Sequence, residues 1–238
     1  MRLPAILAAA ALLSAGVAAH ASDITGTFAV TVSEGLTHGA GFDTTAGNPF
    51  SGPNTASATF TYTGALDFDN TTPQNGPGPT GDTNSAFGFT TSNVSGYSGS
   101  GTVVFSGQTE ADFSTLSKFL ASSGSSSGFD YGSYYTFDLG DLAAGTVLSI
   151  THDDGISLFE GGTEVGSSVS GPTTATTDDI TIATSGDIIL RYARENGTPS
   201  ILEVSNVTPT VTPEPSSIAL LGTSVLGLAG VIRRRFSR

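Results

Sequence analysis

The tetrapeptide His152-Asp153-Asp154-Gly155 holds the residues of this chain whose types and spacing are best suited to chemistry. Two adjacent carboxylates supply hard oxygen donors of the kind that bind calcium. In an extended strand neighbouring side chains point to opposite faces, so both can reach one ion only if the backbone kinks between them. The competing reading is a solvated turn, since Asp and Gly favour turns with or without a metal. His152 beside two carboxylates suggests a proton relay or a transition-metal site. No serine in a nucleophile elbow and no second nearby histidine accompany it, and a structural imidazole at a strand end is expected instead. Asp178-Asp179 is expected to be a turn ahead of a strand. Asp67 and Asp69, two apart, share one strand face, where they form a solvated edge or help to hold a cation. The chain has no cysteine, which removes thiolate nucleophiles, thiolate metal sites and disulfides together. With no activated group in view, the chain is expected not to be an enzyme.

The elements that must position these residues are short strands. Phe28, Val30 and Val32 alternate with Thr27, Thr31 and Ser33, and Ala58, Phe60 and Tyr62 alternate with Thr59, Thr61 and Thr63. Phe87-Gly88-Phe89, Thr102 to Phe105 and Tyr134 to Leu139 are further strand candidates. Leu148 and Ile150 alternate into the Asp-Asp pair. Ile156 to Glu160 then turns at Gly161-Gly162, a pair suited to the positive φ angles of a tight hairpin. Strands through Ile180 and Ile182, through Ile188, Leu190 and Tyr192, and from Ile201 to Val204 complete the pattern. Asn70 to Asn84, with Pro73, Pro77 and Pro79, reads as an exposed loop. One segment has helical spacing: Thr109-Glu110-Ala111-Asp112 resembles a capping box, and Phe113, Leu116, Phe119 and Leu120 fall on one helical face. The fold class expected is all-β, an antiparallel, jelly-roll-like β-sandwich over residues 22–207 with one short helix.

Both ends read as targeting segments. Arg2, the apolar stretch Leu3 to Ala19 and the small-x-small motif Ala19-His20-Ala21 form a secretory signal over residues 1–21, cleaved before Ser22. After an extended linker at 208–212 come Pro213-Glu214-Pro215, an apolar run from Ile218 to Ile232, and Arg233-Arg234-Arg235. As a helix the run is about 22 Å long at ~1.5 Å per residue, a minimal membrane span that flanking serines and snorkelling arginines extend. The arginines hold the C-terminus in the cytoplasm and place the body outside. This order of elements resembles the PEP-CTERM sorting tail of Gram-negative bacteria, over 213–238. The resemblance implies an exosortase-type partner, a transient membrane anchor, and delivery to the cell surface or exopolysaccharide matrix. Of 21 acidic residues all but Glu214 lie in the body, against Lys118, Arg191 and Arg194 as its only basic residues. Such a surface repels nucleic acid and anionic lipid and leaves cations and neutral ligands as partners.

From Phe129 to Ser205 the succession of strand, Asp153-Asp154-Gly155, apolar residues, Gly161-Gly162 hairpin and late Arg191-Tyr192 strand resembles the protective-antigen-type β-sandwich of yeast flocculins and bacterial adhesins and glycosidases. The resemblance implies that Asp153 and Asp154, joined by a cis peptide, chelate one calcium that also holds a sugar diol, with a third ligand from a later loop. Asn196 is the best-placed residue for that third ligand. Three functions remain open on this reading: a structural or adhesive matrix protein with calcium-dependent glycan binding, a glycan hydrolase working through paired carboxylates, and a matrix filler that binds nothing specific.

Overall fold

The computed structural model describes residues 21–36, 43–69, 87–105, 107–122, 132–194 and 200–207. The leader with Ala19, the segment 70–86, Asn196 and the whole tail with Pro213, Glu214, Pro215 and Arg233 to Arg235 lie outside the described residues. Among the described residues no helix is long and apolar enough to cross a membrane.

Residues Ala21–Val207 form one compact unit. In chain order its strands are β1 (Ser22–Asp23), β2 (Thr25–Gly35), β3 (Ala56–Ala65), β4 (Asp67–Asp69), β5 (Val94–Phe105), β6 (Gln108–Asp112), β7 (Gly132–Leu142), β8 (Val147–Asp153), β9 (Ile156–Glu160), β10 (Thr163–Glu164), β11 (Thr176–Thr181), β12 (Gly186–Arg194) and β13 (Ile201–Asn206). Among the described residues one α-helix, α1 (Leu116–Ala121), follows β6, and a 3-10 turn spans Thr44–Ala46. The strands form two antiparallel sheets. One has the order β10-β9-β12-β7-β2-β3-β5-β6; the other has the order β1-β13-β8-β11, with β4 also paired to β13. The early strands therefore complete the same sheet as the late ones.

Strand β2 is central to the larger sheet, its Val30 lying between Phe60 of β3 and Phe137 of β7. The period-two residues behave as their spacing requires: Phe28, Val30 and Val32 are buried, and Thr27 and Thr31 are exposed. From the smaller sheet Leu148, Ile150, Ile180, Leu202 and Val204 face them, and all join one core. Each large side chain so buried contributes about 1.5–3 kcal/mol.

Two segments away from the Asp-Asp pair differ from what the sequence predicts. Thr109 to Asp112 is strand, paired with Thr102 to Phe105 across a bulge, and the helix begins only after Thr115, whose hydroxyl caps Lys118 N at 3.3 Å. Val103 and its partner Ala111, both fully buried, draw Thr109 to Asp112 into the sheet, and the helix is left to start from the Thr115 cap. Phe87-Gly88-Phe89 is a turn rather than a strand, with Gly88 at φ +85° and its α-carbon against the Phe68 ring. The turn lowers both phenylalanines into the core. Phe87 stacks on Tyr192 with centroids 5.4 Å apart, and Phe89 meets Phe60 edge-on at 4.9 Å.

Candidate functional site

The Asp-Asp pair sits where the chain changes sheets. Strand β8 ends at Asp153 in the smaller sheet and β9 begins at Ile156 in the larger one, so only Asp154 and Gly155 make the crossing. The bond between Asp153 and Asp154 is a cis peptide. Both side chains are buried, with 8% and 3% of their residues' surface exposed. The Asp154 side chain and the Ala175 backbone both lie close enough to Asp153 to act on its carboxyl. Burial drives the Asp153 carboxyl above the usual carboxylate range; the Ala175 N–H, the nearby His152 and the contact with Asp154 oppose that rise.

Neighbouring segments close over the pair. The Ile156 N–H donates to Val169 O at 2.8 Å, and Ala193 N–H to Gly155 O at 2.8 Å. A Cβ on Gly155 would lie 2.5 Å from Ser170 O, so only glycine lets this backbone approach. The Tyr192 hydroxyl donates to the Asp153 carbonyl. Burial drives that hydroxyl's pKa far up, keeping it a donor at neutral pH.

His152 points into the core on the same face as Leu148 and Ile150 and is fully buried. Its Nδ1 donates to the Asp154 carbonyl, and its Nε2 lies 3.3 Å from Asp178 Oδ2. Both ring nitrogens thus face protein oxygens inside the core. The expected turn at Asp178-Asp179 is instead the middle of β11, in register with Ile150 and Ser149 of β8. The turn-forming tendency of the two aspartates gives way to the alternation of Ile180 into the core and to pairing along a full strand. Asp178 takes the inner face, where its Oδ2 also accepts from Val169 N–H at 3.1 Å, and Asp179 is exposed. Asp67 and Asp69 flank the buried Phe68 and are exposed. Glu203 stands in register with Asp67 on β13. Partial burial, then the charges of Asp67, Asp69 and Asp23, hold its carboxyl above the ordinary value.

Two buried carboxylates side by side are an all-oxygen, doubly anionic donor set, and such a pair is costly to keep charged unless a cation joins it. The donor set suits a hard divalent ion. It is only part of a coordination sphere: no group of three or more His, Cys, Asp or Glu that could hold a metal occurs among the described residues. Asn196 lies outside them. Arg194 ends β12, its Nε donating to Ser200 Oγ at 2.7 Å, and Ile201 pairs in register with Asp153. Sequence reasoning overlooked Tyr192 and Asp178 as neighbours of the pair. Asp178 was detectable from its parity with Ile180; Tyr192 comes from a distant strand, and nothing in the local pattern announces it.

No curated protein matches the chain. Two solved structures of the protective-antigen type are similar. One, described as the PA14 domain of MpAFP antifreeze protein, is 18% identical, with 80% of this chain and 88% of that one covered and a TM-score of 0.38. The other, described as a PA14 sugar-binding domain from RTX adhesin, is 14% identical, with 76% and 87% covered and a TM-score of 0.36. Residues 211–235 match the family described as the PEP-CTERM protein-sorting motif. The chain thus carries a C-terminal sorting signal of exported surface proteins, the substrate signal for exosortase.

Proposed function

We propose that the body is a calcium-dependent glycan-binding domain, acting as an adhesive or structural component of the exopolysaccharide matrix and making no covalent change to its ligand. The observation that carries this reading is the convergence of two buried carboxylates, Asp153 and Asp154, at the point where the chain passes between sheets. Bound there, calcium supplies a Lewis-acidic centre that the vicinal hydroxyls of a sugar can join. The chain's own contribution is to hold the ion through Asp153 and Asp154, to bring the backbone of Ser170 against Gly155, and to fix the Asp153 carbonyl through Tyr192. The same closeness argues against hydrolysis. Glycosidase carboxylates stand about 5–9 Å apart across a cleft to leave room for the glycosidic bond and water, whereas these two are buried side chains of adjacent residues. The tail anchors the chain in the membrane until exosortase acts.

The test is a glycan array probed with the purified protein in calcium and again in chelator. Binding to at least one polysaccharide in calcium only, with no new reducing ends released, is the expected result. Binding that ignores chelation, or release of reducing ends abolished by one acid-to-amide change, would overturn it.

A further inference from the structure

We propose that His152 and Asp178 are positioning residues for the Asp153–Asp154 site, together fixing the orientation of Asp154 before any ligand arrives. This inference rests on the reading of the pair as a calcium site. His152 is fully buried at a position on β8 where the alternation with Leu148 and Ile150 calls only for an apolar side chain. It instead lies between two oxygens: the Asp154 carbonyl, which accepts from Nδ1, and Asp178 Oδ2, 3.3 Å from Nε2. Asp178 is held in turn by Val169 N–H at 3.1 Å. Val169 also accepts from Ile156 N–H, so the chain of contacts closes on the residues that follow the pair. Tyr192 pins the neighbouring Asp153 carbonyl from a third strand. Both backbone carbonyls of the pair are therefore fixed from the core side. A metal ligand's outer partners set its direction and typically change metal affinity about 10–100-fold.

Asp178 can be tested without threatening the core, because its side chain keeps 22% of its surface exposed and Asn is nearly isosteric. The full-length protein would be titrated with calcium by calorimetry and melted in chelator, as wild type, D178N and D179N. Asp179, exposed on the outer face of the same strand, serves as the charge control. D178N is expected to raise the calcium Kd about tenfold or more, with melting in chelator close to wild type and D179N binding as wild type. His152→Asn, whose amide nitrogen can stand where Nδ1 stands, should retain more affinity than His152→Phe. In 15N-labelled wild type the His152 ring signals should shift when calcium is added, although the ring is not a ligand. A D178N Kd equal to wild type, or an equal loss in D179N, overturns the positioning role and leaves the calcium site standing. A wild type that takes up no calcium overturns the reading of the pair itself, and with it this inference.

Discussion

In the proposed site Asp154 would contribute its carboxylate, while its carbonyl accepts from His152, so a change confined to the carboxylate probes metal binding with little effect on the backbone. If the pair binds calcium, the metal stabilises the folded state by RT ln(1 + [L]/Kd), about 2.7 kcal/mol at a hundredfold excess over Kd. Asp154→Asn should remove most of that gain, read as the difference in melting temperature between saturating calcium and chelator. Wild type melting at one temperature in both would mean the pair binds no calcium. Lys118 shows how weak an exposed charge contact is by comparison. Its ammonium sits 2.9 Å from Asp112, and that carboxyl is lowered to about 2 first by Ser114 and then by Lys118, yet the pair is solvated and its contribution small.

Strands β4, β13 and β1 place Asp67, Asp69, Glu203 and Asp23 near one another, and this makes an element-scale prediction about pH. The folded Glu203 carboxyl titrates above the ordinary 4.5. The folded state therefore holds this proton more tightly than the unfolded chain, and Glu203 costs stability once pH rises through its raised value, but not below 4.5. Glu203→Gln should raise the melting temperature at neutral pH by no more than about 0.5 kcal/mol's worth and lose that advantage as pH falls to 4.5. An advantage that persists at low pH would assign the effect to packing rather than charge. Elements with clear alternation, such as Phe28 to Val32 or Ile188 to Tyr192, are legible in the sequence because period two and burial on one face are the same fact. The Gly161-Gly162 hairpin is legible too, with φ at +54° and +85°. Asp178-Asp179 and Thr109 to Asp112 are not, because there local turn or helix signals compete with strand pairing that only the assembled sheet supplies. At the site the pair itself was visible, but its surroundings are contributed by β11 and β12, brought in by sheet topology rather than by sequence proximity.

At the scale of the whole molecule, the sorting tail gives a prediction independent of the site. Deleting Pro213-Glu214-Pro215 should leave an uncut precursor retained in the membrane, since the recognition element is lost while the apolar run remains; unchanged mass and surface delivery on a blot of cell fractions would contradict it. The body also has a mechanical consequence if it is held at one end and grips a ligand at the other. Strand β13 pairs along its entire length with β8, from Ile201 opposite Asp153 to Asn206 opposite Leu148. Its other edge is taken by β4 at Ile201 to Glu203 and by β1 at Ser205 and Asn206. The same strand thus begins beside the acidic pair and ends where the chain leaves the body for its tail. A pull applied between the Asp153 end of β8 and the Asn206 end of β13 would run along β13. Ladder hydrogen bonds lie perpendicular to that direction, so both edges would be loaded in shear and share the force instead of peeling one bond at a time.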